Sequence, residues 1–206
     1  MVAVGERLKR FGFNEKPRDQ TFYRLIRGGR AAIHLALVPH QDDFDVTVDL
    51  AVRLDQVEDL INANNTNLNR REKTQTYTLG AEMGNLLGNA PIRWTVKVAV
   101  DVAPVADEIV AKFKVFGDDY LNRAETLEGA FTLLTATGRD GWINSPIPGA
   151  RAKRIIALAV LLGYSDKLPG LIDENIRMLI ETKDFSLQSF RDFVATLRPP
   201  SDGSDV

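Results

Sequence analysis

From Phe44 to Arg53 the chain alternates without a break. Phe44, Val46, Val48, Leu50 and Val52 are apolar, and Asp45, Thr47, Asp49, Ala51 and Arg53 stand between them. A period of two sustained this long fits a β-strand and not a helix. One apolar edge and one wet edge also point to an antiparallel sheet, because parallel sheets are covered on both sides and read as continuous apolar runs.

The segments before it read the same way. Thr21 to Arg27 and Arg30 to Val38 flank Gly28-Gly29, a pair that tolerates the positive φ of a tight two-residue hairpin. That turn predicts Arg27 opposite Arg30, Phe22 opposite Leu35, Arg24 opposite Ile33 and Tyr23 opposite His34. Ahead of the hairpin, Val4, Leu8 and Phe11 recur at helical spacing, and Gly12 is placed to stop that helix. Beyond the long strand, Asp55 to Ile61 reads as a short helix with Asp55 as its N-cap, followed by an asparagine-rich exposed loop, Asn62 to Asn69. Further strands are expected at Thr74 to Leu79 and Arg93 to Val100. Gly80 to Gly88 between them fits a short helix or a continued strand and turn.

After Pro104 the period becomes helical. Val105, Ile109, Phe113, Phe116 and Tyr120 form one apolar stripe. Further helices are expected near Thr126–Thr137, Gly149–Leu162, Lys167–Thr182 and Ser186–Leu197, with Gly138 to Pro146 as a long Gly/Pro loop. Strands first and helices after is an α+β order. The expected fold is an antiparallel sheet of about five strands with an N-terminal helix, followed by a C-terminal helical array. Residues 1–102 form the sheet region, 103–198 a helical region packed on it as one unit, and 199–206 a disordered tail.

Composition narrows the function classes. With 26 Lys and Arg against 28 Asp and Glu, the formal net charge is −2, so no global pull toward phosphate backbones or anionic lipid is expected. The absence of cysteine removes disulfides, thiolate metal sites and a thiol nucleophile. The start of the chain shows no secretory h-region, and the longest apolar stretch, Ile155 to Leu162, is too short to span a membrane. A cytoplasmic protein is expected. No phosphate-binding loop, dinucleotide fingerprint, nucleophile elbow or HExxH motif is present.

The residues able to carry chemistry collect on the wet side of the sheet. His34 shares that side with Tyr23, Asp45, Thr47, Asp49 and Arg53. A histidine among carboxylates can act as a general base or a metal ligand, or simply be one polar residue of a solvated face. Arg24 interrupts the apolar side of its strand, which suits an anion clamp, an ion pair or a snorkelling side chain. Trp142, in the Gly/Pro loop, is an interface anchor if exposed. His40 belongs to an exposed turn. Charge is segregated: residues 1–30 carry eight basic against three acidic side chains, net +5, and 40–60 carry one against seven, net −6.

These features predict a non-catalytic binding module, with Tyr23, Arg24, His34, Asp45, Asp49, Arg53 and Trp142 as candidate binding residues, a protein partner, and no metal or cofactor. An accessory or immunity-type role suits such a chain. Two alternatives are a metal-assisted hydrolase built on His34 and the neighbouring carboxylates, and a helical nucleic-acid binder using Arg151, Lys153 and Arg154. The acidic residues Asp173, Glu174 and Glu181 on a later helix disfavour the second.

A helix ending in Gly12-Phe13, a Tyr23-Arg24 strand, a hairpin of alternating apolar residues, a Trp94 strand and a helix ending near Asp119-Tyr120-Leu121 together resemble the bacterial proteins grouped as domain of unknown function 4304. The resemblance covers roughly residues 5–135. It implies an α+β sheet domain of a cytoplasmic bacterial protein and brings no catalytic residues with it.

Overall fold

The computed structural model describes residues 1–88 and 90–197; the tail expected at 199–206 lies outside them. Helix α1, Val2–Leu8, buries Val4 and Leu8, and Gly12 ends the following 3-10 turn at φ 81°. Strand β1, Asn14–Lys16, comes next. Its polar Asn-Glu-Lys sequence carries no alternation and gives no sequence signal, as befits a short charged edge strand. Strands β2 (Thr21–Ile26), β3 (Gly29–Pro39) and β4 (Phe44–Leu54) then form an antiparallel meander.

The far edge of β4 is shared by two short strands. Its first part, Phe44 to Val46, pairs with β6 (Trp94–Val96), and Asp49 to Val52 pairs with β5 (Leu79–Glu82). The result is a six-stranded sheet.

The β2–β3 register differs from the expected one by two residues. Ile26 faces Gly29, Phe22 faces Ile33, and Tyr23 faces Ala32. Only Gly28 sits in the turn with positive φ, at 76°. Gly29 is instead a strand residue opposite Leu54, where an added Cβ would collide with the Arg53 carbonyl. The second glycine thus serves close backbone approach and not the turn. Because the slip is even, every side chain keeps its predicted side of the sheet.

Three side chains set where the other strands stop. The Thr78 hydroxyl accepts from Leu54 N at 3.0 Å, so ladder pairing toward Thr74 is replaced by a side-chain bond and the strand starts five residues later than expected. Glu82 accepts from Gly84 N, Asn85 N and Ile92 N at 2.9–3.1 Å and starts helix α4, Met83–Gly88. Asp101 takes Lys97 N and Val98 N, both at 3.0 Å, which ends β6 at Val96 and not at Val100.

The loop between β4 and β5 also holds more order than its sequence suggests. Helix α2, Asp55–Asn62, begins after Leu54, so Asp55 is its first residue and not its cap. Asn69 and Glu72 then form a reciprocal capping box on the one-turn helix α3, Arg70–Lys73.

Helix α5, Val102–Lys112, runs through a π-helical turn, Phe113–Gly117, into α6, Asp118–Ala124. Helices α7 (Leu127–Thr135), α9 (Pro148–Leu161), α10 (Leu168–Glu181) and α11 (Leu187–Thr196) fall where the apolar spacing puts them. The stretch read as a Gly/Pro loop is instead helix α8, Gly138–Asn144. Its two glycines serve different needs: Gly138 takes a positive φ of 61°, and a Cβ on Gly141 would strike the Ala136 carbonyl. Buried Asn144 closes it, donating to Asp140 O at 2.7 Å and accepting from the Tyr120 hydroxyl at 2.8 Å.

One hydrophobic cluster joins sheet and helices. It runs from Leu8 and Phe22 through Ile33, Val48 and Leu50 to Phe113, Leu121, Ile156 and Phe190. Phe113 meets Phe11 and Phe13 edge-on at 5.2 and 5.7 Å between ring centres. Burial of this one apolar side of the sheet under the helices is what leaves its other side open.

Candidate functional site

The open side is organised in rows that cross the strands. Thr21, His34, Asp49 and Glu82 are opposite one another in succession, so a line of polar side chains spans β2, β3, β4 and β5. The next row is Tyr23, Ala32, Ala51 and Gly80. Its last three members are too small to rise from the sheet; Ala51 and Gly80 form a shallow, partly exposed floor beside the polar line, and Ala32 is buried. Beyond the floor Leu25 faces Arg30, which faces Arg53. Tyr23, His34, Ala36, Thr47, Asp49, Ala51 and Glu82 are all partly exposed, whereas Ile33, Leu35, Val46, Val48 and Leu50 on the opposite side are buried.

His34 takes part in a defined hydrogen-bond chain. The Thr21 hydroxyl donates to Asp19 O at 2.7 Å and lies 3.0 Å from His34 Nδ1. With the hydroxyl proton committed to the carbonyl, Nδ1 carries the ring proton and donates to Thr21, which assigns Nε2 as the free acceptor. Asp49, opposite His34 on the other side, has its pKa raised. Burial is the main cause and the Glu82 carboxylate adds to it, while His34 acts in the opposite sense.

Across the floor stands an aromatic and cationic group. The Arg30 guanidinium lies 5.5 Å from the ring centre of Tyr23 and 5.3 Å from that of Tyr77, and Lys16 lies 5.0 Å from Tyr23. Such distances are those of cation–π attraction. Arg30 also donates to Thr74 O at 2.6 Å, which fixes the segment bearing Tyr77, and the Tyr77 hydroxyl donates to that of Tyr23 at 3.4 Å. Burial first, then the bond to Tyr23, pushes the Tyr77 pKa up to about 12. Lys16, Arg30, Tyr77 and the small floor are contributions that the sequence reading missed. The alternation Ala32, His34, Ala36 along β3 was the available signal for the floor.

The other candidate residues have different places. Arg53 is 3% exposed and is bound on all sides. It donates to Asp55 at 2.7 Å, Asp59 at 3.1 Å, the carbonyls of Lys73 and Thr76 at 3.0 and 3.1 Å, and the Thr76 hydroxyl at 2.6 Å. It is a clamp on the loop and offers nothing to a partner. Arg24 reaches α6, pairing with Asp118 at 2.9 Å and donating to Asn122 at 3.1 Å, with its guanidinium over the Phe13 ring. It joins sheet to helix. Asp45 lies at the far end of the open side, accepting from Thr95 at 2.7 Å with His40 at 3.1 Å. These two bonds hold its pKa below the ordinary aspartate value. Trp142 is 51% exposed on α8, part of the helical layer and not of the sheet.

The open face therefore has a basic, aromatic end at Lys16, Tyr23, Arg30 and Tyr77 and an acidic end at Asp45 and Asp49. Among the described residues no three histidine, aspartate or glutamate side chains converge as metal ligands, and Glu82 is already held by three backbone amides. No helix among them is long and apolar enough to cross a membrane. No family model, curated protein or solved structure matches the chain, so the resemblance to domain of unknown function 4304 rests on its motifs alone.

Proposed function

We propose that this chain is a non-catalytic binding module that docks a protein through the open sheet face. The observation that carries the reading is the division of that face into a tyrosine and cation end and a carboxylate end, on either side of a flat floor of Ala51 and Gly80. Tyrosine and arginine are the side chains that most often dominate protein interfaces, and separated charge of both signs orients a partner. The carboxylates count against a nucleic-acid backbone, which would meet Asp45 and Asp49 as like charges. An immunity-type role, in which a small domain masks a partner, is one use of such a face.

The test is a pull-down of the tagged protein from its native lysate, with and without nuclease, alongside the variant Asp45→Lys plus Asp49→Lys. A stoichiometric protein that survives nuclease and is lost with the double variant supports the reading. A partner retained unchanged by that variant, or one released by nuclease, overturns it.

A further inference from the structure

The helical layer holds a cleft with chemistry of its own, far in sequence from the open face. It has a volume of about 260 Å³ and lies between the end of α7, α9 and α10. Leu134, Ile155, Leu171 and Met178 give it apolar walls. That volume lies just below the roughly 300–1,000 Å³ of drug-sized ligand pockets, so its occupant is smaller.

Three polar side chains line the same cleft with capacity unused. Arg151 from α9 and Glu174 from α10 carry opposite charges, yet among the described residues neither makes an ion pair or a side-chain hydrogen bond. Burial alone lowers the Arg151 pKa, with no neighbouring acid to offset it. Asn175 is only 7% exposed. Its Nδ2 donates to Leu171 O at 2.8 Å, which fixes the amide orientation and leaves Oδ1 as an acceptor without a partner. The partly desolvated guanidinium costs stability until something pairs with it, while Asn175 Oδ1 stays open to the cleft as an acceptor.

We propose that this cleft binds a free α-amino acid with an apolar side chain. Its carboxylate sits on the Arg151 guanidinium, a geometry that allows two parallel hydrogen bonds. Its ammonium donates to Glu174 and to Asn175 Oδ1, and its side chain lies against Leu171 and Met178, the adaptable thioether accommodating different shapes. A ligand bearing both charges satisfies all three groups together, and one with a single charge leaves part of the site unpaired.

Equilibrium dialysis of the full chain against L-leucine, L-methionine and L-phenylalanine tests this. Saturable binding of at least one is expected, weakened roughly tenfold or more in Arg151→Met and in Glu174→Gln. Because a variant can fail to fold, the unaltered chain is also dialysed against the matching amine and acid, isoamylamine and isocaproate in the case of leucine. Both should bind roughly tenfold or more weakly than the amino acid. Absence of saturable binding by all three amino acids overturns the proposal, as does an amine or acid that binds as tightly as its parent.

Discussion

Arg154 on α9 places its Nε 3.2 Å from Oε1 of Glu58 on α2, and this ion pair ties the helical layer to the helix that follows β4. Glu58 is 1% exposed and its partner far more accessible. Removing the arginine strands a buried carboxylate, a loss of about 3–5 kcal/mol. Arg154→Met should therefore lower the urea midpoint sharply, and Arg154→Met plus Glu58→Leu should recover most of that loss. A double variant no more stable than the single one would show that the pair itself stabilises the junction.

Arg53 predicts a different pattern. Its acidic partners Asp55 and Asp59 are more than half exposed, so they return to water when the arginine is removed. What is lost is the hold on the carbonyls of Lys73 and Thr76. Arg53→Met should cost about 2–3 kcal/mol and speed amide exchange between residues 63 and 78 while leaving β2 and β3 protected. Exchange followed by mass spectrometry distinguishes this from global loosening.

The two hairpin glycines give a direct test of register. Gly28→Ala places a side chain at positive φ and should cost about 1–2 kcal/mol. Gly29→Ala drives a methyl group into the Arg53 carbonyl and should cost about 3 kcal/mol. Equal losses would contradict the pairing of Gly29 with Leu54.

Asp49 should act in the opposite direction to most charged residues. Its folded pKa lies above the unfolded value of about 4, so the native state holds the proton longer. Between the two values the native state binds more protons, and stability falls as pH rises through that window. At neutral pH the carboxylate is a destabilising group. Asp49→Asn should raise Tm at pH 7 by an amount equivalent to about 1 kcal/mol or less, a gain that vanishes below pH 4, where both side chains are neutral. A Tm that falls at pH 7 would mean that the charge is needed by His34.

Much of this architecture was legible in the sequence because period and side are properties of consecutive residues. The alternation from Phe44 to Val52 and the stripe of Val105, Ile109, Phe113 and Tyr120 needed no tertiary information, but Phe116, expected on the same stripe, is turned out to solvent by the π turn. Pairing register was less accessible, since the choice between Gly28 and Gly29 as turn residue depends on β4 lying against Gly29. Strand ends were hidden for a similar reason: Glu82 and Asp101 capture backbone amides that the sequence offered to the ladder. The candidate face was read on the correct side, but local pattern does not reveal that Arg53 is enclosed by a loop 20 residues away. Nor does it bring Tyr77 and Lys16 beside Tyr23. In α8 the glycines that suggested a loop are required by a positive φ at Gly138 and by close backbone approach at Gly141.

The π-helical turn at Phe113–Gly117 makes this the one place where the helix tolerates a change in length. In a regular α-helix each residue advances the side chains by about 100°, and a π turn carries an added residue without breaking the rod. Deleting Val115 or Phe116, both exposed, would remove the added residue and restore ordinary winding, leaving Asp118 beside Arg24 and Tyr120 beside Asn144. A one-residue insertion or deletion elsewhere in the rod, with no π turn to absorb it, would instead rotate α6 by about 100° against the sheet and unseat sheet and helices together.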